Sequence, residues 1–206
     1  MIEKEAMYKL TYGLFVLTTT DGEKQNGCIV NTVSMITDSP KRITVFVNNA
    51  NYSAELLKKT GVFNVSILTE KTPFDIFKKF GFVSGRDVDK FADTSYPKTE
   101  NGLYYVPEVS NAVLSAKVVD YYDYGTHTLF VAEVTEAKTL SADKSVTYEY
   151  YQSNIKPRVA AAPTTAAATE KWVCKICGYV HEGPLPDDFT CPWCKHPAED
   201  FEKVSG

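Results

Sequence analysis

Four of the five cysteines in this chain of 206 residues fall within one stretch, VCKICGYVHEGPLPDDFTCPWCKHP. They form two Cys-x-x-Cys pairs, Cys174 with Cys177 and Cys191 with Cys194. Two thiolates separated by two residues on a tight turn converge on one ion, and two such turns complete a tetrahedral sulfur cage. Gly178 can take the left-handed backbone that such a turn favours, which lets turn amides face the sulfurs, and Pro192 stiffens the second turn. Lys195 stands where a second Cys-Gly would have its glycine. The donor set alone leaves two ions open: zinc would staple a small fold, and iron would add one-electron chemistry. His181 and His196 lie nearby in sequence, but four sulfurs already fill the cage, so both read as surface or supporting residues. Cys28 stands alone before an apolar run and reads as a small buried hydrophobe.

Trp172, Tyr179, Phe189, Trp193 and Phe201 crowd the same region, enough aromatic surface to form a small core and keep water from the sulfurs. The pattern WVCKICGYVHEG…CPWCKHPAEDFEKV resembles rubredoxin, and its short loop between the cysteine pairs is most similar to the rubredoxin-type domain at the end of rubrerythrins. The resemblance runs over residues 171–204 through Trp-x-Cys, Cys-Gly-Tyr, His-Glu-Gly and Cys-Pro-x-Cys. It implies one iron held by Cys174, Cys177, Cys191 and Cys194 and used to pass single electrons, with structural zinc as the alternative.

Such a centre needs a donor and an element to position it, so the rest of the chain must supply both. A 44% hydrophobic content with 13 Tyr and 11 Phe can fill one medium core and one small one. A net charge of −4 with no Lys/Arg cluster argues against nucleic-acid or anionic-membrane binding. The opening MIEKEAMYKL lacks the apolar centre of a signal peptide, and no run approaches the roughly 20 apolar residues of a membrane span. The expected compartment is the cytoplasm, where paired cysteines serve metals or redox chemistry more often than disulfides.

Residues 156–170, KPRVAAAPTTAAATE, offer no large apolar anchor after Val159 and read as a linker between a domain at 1–155 and another at 171–206. The first domain is strand-rich. GLFVLTTT, CIVNTVSMIT, RITVFVN, VFNVSILT, AVLSAKVVDYYDYG and TLFVAEVTEAKTL are β-branched and aromatic runs bounded by turn residues. Two stretches predict helices: SAELLKKTG, capped by Ser53 and stopped by Gly61, and TPFDIFKKFG, with Thr72 as cap, Pro73 in the first turn and Gly81 at the end. Many short strands with two brief helices predict a mainly β fold, a closed or nearly closed antiparallel barrel rather than a parallel sheet. No GxGxxG follows a strand, which excludes the usual dinucleotide fingerprint.

The order of features in GCIVNTVSMITDSPKRITVFVNNANYSAELLKKTGVFNVSILTE resembles the flavin reductase-like, FMN-binding split-barrel family, flavoredoxins included, over about residues 5–150. The resemblance implies FMN. It places Asn31, Thr32, Val33 and Ser34 at the ring and ribityl chain, and Asn48, Asn51 and Ser53 at a phosphate site before the first helix, where the dipole favours an anion. FGFVSGRDVDKF adds Ser84, Gly85, Arg86 and Lys90, against the plainer reading of a charged surface turn. DYGTHTLFVAEV resembles the family's Gly-Asp-His segment with Thr126 in the acidic position, which makes His127 a candidate nicotinamide contact or else an ordinary strand-edge histidine.

A split barrel, a linker and a rubredoxin module together resemble the fusion proteins of anaerobes known as high-molecular-weight rubredoxins. That resemblance implies a homodimeric NAD(P)H oxidoreductase. Electrons taken in pairs from NADH or NADPH at FMN would pass singly to a Fe(Cys)4 rubredoxin centre and on to a redox partner such as a flavodiiron oxygen or nitric oxide reductase. Two alternatives stay open: a non-catalytic flavoredoxin-type carrier, and a flavin reductase with a structural zinc tail.

Overall fold

The computed structural model describes residues 3–7, 9–92, 94–157, 170–175, 179–192 and 196–204. A short helix, α1 (Lys4–Met7), precedes β1 (Phe15–Thr20), β2 (Gln25–Val30), β3 (Ser34–Asp38) and β4 (Lys41–Asn48). Then come α2 (Tyr52–Thr60), β5 (Val62–Leu68) and α3 (Phe74–Phe77), which runs directly into a π-helical turn, Lys78–Phe82. Strands β6 (Ser110–Asp123) and β7 (His127–Thr139) form a long hairpin, and α4 (Tyr148–Tyr150) passes into a second π-helical turn, Tyr151–Ile155.

All pairings in this sheet are antiparallel, in the order β2-β1-β5-β6-β7-β4-β3. Residues 31–33 join the two terminal strands of that order, and β2 lies against β4, so the sheet curls back on itself as a split barrel. Thr32 bridges the seam: its hydroxyl accepts from Phe46 N at 3.1 Å and donates to Phe46 O at 3.0 Å. The antiparallel barrel expected from the strand pattern is the fold observed.

Strand β1 explains why the LFVL of GLFVLTTT is continuously apolar instead of alternating. Its side chains point in turn to opposite faces, and both faces are buried. Phe15 and Leu17 enter the barrel interior with Val45, Phe63, Val65 and Phe130; Leu14 and Val16 enter a second core with Phe77, Phe80, Phe91 and Tyr151. Cys28 belongs to the first core, where burial pushes its thiol up and away from reactive thiolate.

The segment after α3 is fastened to β2 by close contact. A Cβ on Gly27 would meet the Phe80 ring at 2.8 Å, so only glycine lets that ring lie on the strand. Lys90 secures the same place from behind: its buried ammonium donates to Gly27 O at 2.8 Å and Phe80 O at 3.2 Å.

Both helices depart from the expected caps. Asn51, not Ser53, caps α2 by accepting from Ser53 N at 3.1 Å, while Gly61 ends it at φ 68° as expected. Ser53 is instead pulled inward, where its hydroxyl accepts from buried Asn26. Pro73 is the residue before α3 rather than its first, and Gly81 lies inside the π-helical turn instead of stopping it. Phe82 is the last residue of that turn.

The C-terminal region forms its own antiparallel sheet, β8 (Lys171–Cys174), β9 (Val180–Glu182) and β10 (Phe201–Val204), in the order β10-β8-β9. Within the segment read as a linker, residues 158–169 lie outside the described residues, as do Cys177, Gly178, Trp193, Cys194 and Lys195. No helix among the described residues is long and apolar enough to cross a membrane.

Candidate functional site

Two structures meet here, a cavity on the barrel and a pair of cysteine loops. The cavity holds about 640 Å3, within the usual range for small-molecule and cofactor sites. One end is polar, formed by Asn48, Ala50, Asn51 and Tyr52 at the start of α2 together with Ser84 and Asp87. The other end is apolar, formed by Leu14, Ile29, Phe77, Phe82, Tyr148 and Tyr151.

The polar end follows from local hydrogen bonding. Asn48 Oδ1 accepts from Ala50 N at 2.9 Å, Asn51 N donates to Asn48 O at 2.9 Å, and Asn49 Oδ1 accepts from Thr128 Oγ1 at 2.6 Å. These bonds fold residues 48–51 into a tight corner that presents the first turn of α2, and hence the positive end of its dipole, to the cavity. Arg86 flanks that corner. Its guanidinium lies 4.6 Å from the Tyr52 ring centre and pairs with Glu55 at 2.5 Å.

An elongated ligand with an anionic end and a flat apolar end fits this outline. FMN is such a ligand, and the residues present suit it. Helix dipole, amide side chains and hydroxyl stand where a phosphate needs donors, and aromatic rings line the place of a ring system.

Of the expected flavin contacts, Asn48, Asn51 and Ser84 line the cavity. Ser53 and Gly85 stand one layer behind it. Asn26 Nδ2 donates to Ser53 Oγ at 2.9 Å, and a Cβ on Gly85 would come within 2.0 Å of Asn26 Oδ1. Lys90 is turned to the two carbonyls named above, and burial lowers its pKa to about 8. Asn31, Thr32 and Val33 lie in the β2–β3 connection and Ser34 opens β3, none of them on the cavity wall. His127 is exposed at the start of β7, paired in register with Asn48, and its Nδ1 lies 3.0 Å from Thr126 Oγ1.

Residues not anticipated from sequence are Tyr52, Phe77, Phe82, Tyr148 and Tyr151. The signal for the last four is the aromatic density of TPFDIFKKFGF and TYEYYQ, which reads equally well as plain core; Tyr52 stands alone in NANYSAE.

The cysteine loops are built alike. Cys174 N donates to Tyr179 O at 2.8 Å and Cys191 N donates to His196 O at 2.8 Å, so the first cysteine of each pair is tied to the residue five positions on. Cys174 and Cys191 are both fully buried, in one cluster with Phe201 that Trp172, Tyr179, Leu185 and Phe189 cover. Two soft sulfur donors under an aromatic cover, each followed three positions later in the sequence by a second cysteine, suit iron or zinc in a thiolate cage.

The two structures touch. Phe82, which lines the cavity, also packs on the Cys174–Cys191–Phe201 cluster, and Pro192, His196 and Pro197 of the second cysteine turn complete the cavity wall.

Residues 7–157 match the flavin reductase like domain, and residues 172–202 match the rubrerythrin, rubredoxin-like domain. A high molecular weight rubredoxin from Moorella thermoacetica is 34% identical over 98% of this chain and 100% of its own length. A ferric-chelate reductase (NAD(P)H) from Archaeoglobus fulgidus is 37% identical over 73% of this chain and 89% of its own. Among solved structures, the NADH:FAD oxidoreductase SgcE6 of Streptomyces globisporus C-1027 superposes with a TM-score of 0.63 at 21% identity, covering 69% of this chain and 83% of that one. An FMN-binding protein from Thermus thermophilus does so at 0.61 and 20%, covering 69% and 78%. The barrel therefore has the flavin reductase fold.

Proposed function

The chain belongs to the flavin reductase-like family and carries a rubredoxin-like domain behind its barrel; from that premise we propose that it is an oxidoreductase passing electrons from NADH or NADPH through FMN to one iron held by Cys174, Cys177, Cys191 and Cys194. The observation that carries this reading is the cavity with a polar end at the start of α2 and an aromatic end, whose wall residue Phe82 also packs on the cluster that contains buried Cys174 and Cys191. The names of the relatives at 34% and 37% identity, a high molecular weight rubredoxin and an NAD(P)H-dependent ferric-chelate reductase, support the same chemistry.

The chain's residues divide the work as follows. The first turn of α2, with Asn48, Asn51 and Ser84, binds and orients the phosphate end. Phe77, Tyr148, Tyr151 and Leu14 keep water from the ring end. His127 stands across the β4–β7 ladder from Asn48, its ring held through Nδ1 by Thr126, and we assign it to orient the nicotinamide. Bound flavin supplies the conversion of a hydride's electron pair into single electrons, and the four thiolates hold iron in a form that takes one at a time.

A homodimer is part of the proposal. Phe46, Leu129 and Tyr122 lie directly opposite one another across β4, β7 and β6, and the Tyr124 ring stands 6.1 Å from that of Phe46. Phe46, Tyr122 and Tyr124 are exposed, an apolar stripe that suits a second copy of the chain. Delivery to a partner, with a flavodiiron oxygen or nitric oxide reductase as the candidate, follows from the resemblance to fusion proteins of anaerobes. Cytoplasmic residence follows from thiolate chemistry that a reducing compartment protects.

The absorption spectrum of purified protein with metal and flavin analysis tests the cofactor assignment. Iron near one per chain with red charge-transfer bands and bound FMN is expected; zinc in place of iron, or no retained flavin, removes the reading.

A further inference from the structure

The barrel does not close the cavity alone. Pro192, His196 and Pro197 complete its wall from the other domain, and Phe82 is shared between the cavity and the sulfur cluster. A second tie lies beside the first cysteine turn, where Lys156 Nζ donates to Lys175 O at 2.5 Å.

We propose that Pro192, His196 and Pro197 form a docking surface for the cavity of their own chain, beside Phe82, so that the iron is reduced within one polypeptide. This rests on the flavin reading above. The contact is small, and small interfaces alone are weak and transient. Two features make it sufficient here and still reversible. Proline carries no rotamer freedom to lose, and Phe82 is held in advance by an edge-on contact with Phe74 at 5.8 Å, so little order is lost on docking. A tether of about a dozen residues between Pro157 and Glu170 gives an effective concentration on the order of millimolar. Each docking event oxidises the reduced flavin by one electron and reduces one ferric ion to ferrous. No bond is made or broken, and NAD(P)H supplies the electrons. Release then frees the cluster for an external acceptor.

The test uses the full holoprotein and three arms. In the first, lysine cross-linking with mass spectrometry compares a Lys156–Lys175 link with a control link between Lys171 and Lys203 on neighbouring strands of the small sheet. Phe82→Ala is expected to lower the first severalfold and spare the control, and Phe82→Tyr to restore it. In the second, anaerobic stopped-flow follows iron reduction after NADH or NADPH addition. The rate constant stays unchanged on dilution of the wild type and falls about tenfold or more in Phe82→Ala. In the third, differently tagged chains are co-purified as mixed dimers in which the partner carries Phe82→Ala and Cys174→Ser. The single iron-bearing chain keeps the wild-type rate if it docks on its own barrel. A rate proportional to concentration, a slow mixed dimer, or cross-linking unaffected by Phe82→Ala overturns the proposal. A wild type whose flavin NAD(P)H cannot reduce defeats the function instead, and cross-linking still judges the docking.

Discussion

Asn26 and Ser53 are tied together behind the polar end of the cavity: Asn26 Nδ2 donates to Ser53 Oγ at 2.9 Å, and both side chains are buried. The bond ties β2 to the first turn of α2, and it fixes Asn26 Oδ1 against Gly85, where a Cβ would approach to 2.0 Å. Gly85→Ala must therefore displace either a hydrogen-bonded asparagine or the loop that carries Ser84. The expected outcome is a loss of about 1–3 kcal/mol in stability together with weaker FMN retention. Thermal melts and fluorescence titration of apoprotein with FMN measure the two.

Asn51 combines two duties that substitutions can separate. Asn51→Ala removes the cap of α2 and is expected to cost about 1 kcal/mol as well as flavin affinity. Asn51→Asp keeps the cap and suits the helix dipole, so the melting temperature holds, but it sets a negative charge against the phosphate. Affinity should fall by about tenfold or more, equivalent to about 1.4 kcal/mol. Unchanged FMN binding in Asn51→Asp would place the phosphate elsewhere.

How much of this could be read from the chain depends on how local each feature is. The cysteine pairs are legible because two residues of spacing make their geometry local. The barrel strands are legible because burial on one or both faces writes itself into runs such as FVLTTT and VFNVSIL. The cap of α2 shifted from Ser53 to Asn51 because a partner 27 positions away, Asn26, claims the serine, and spacing carries no trace of that. Gly81 looked like a helix stop, but Phe80 anchored on Gly27 carries the π-helical turn through it. Pro192 and His196 reach the cavity through contacts between domains, which no periodicity encodes.

Lys90 gives a pH signature. Burial lowers its folded pKa from 10.5 to about 8, so between those values the unfolded chain binds more protons than the folded one. Its contribution to stability is full above the unfolded value and is lost as pH falls through about 8. Melting temperatures of wild type and Lys90→Met from pH 7 to 10 should diverge in favour of the wild type as pH rises, by about 1 kcal/mol per pH unit. A gap that does not change with pH would mean that the amine stays charged in the fold.

Cys191→Ser takes one sulfur from the buried cluster. Iron content and the charge-transfer bands should be lost, while bound FMN and its bleaching by NAD(P)H continue, because the barrel cores contain neither Cys174 nor Cys191. Absorption before and after nicotinamide reads both chromophores in one sample.

Phe46→Lys places a charge in the middle of the exposed stripe with Tyr122 and Tyr124. Analytical ultracentrifugation should show a dimer for the wild type and a shift towards monomer for the variant. A loss of about 2 kcal/mol or more is expected for a central aromatic contact.

The central claim is that electrons from a nicotinamide reach the sulfur-bound metal by way of the flavin. Anaerobic titration of the purified full-length protein with NADH and with NADPH, recorded across the visible spectrum, tests it most directly. One of the two should bleach the flavin first and the ferric bands after it, with the iron step absent from protein stripped of FMN. Iron that stays ferric while the flavin is fully reduced, or iron that bleaches equally well without flavin, would contradict the account.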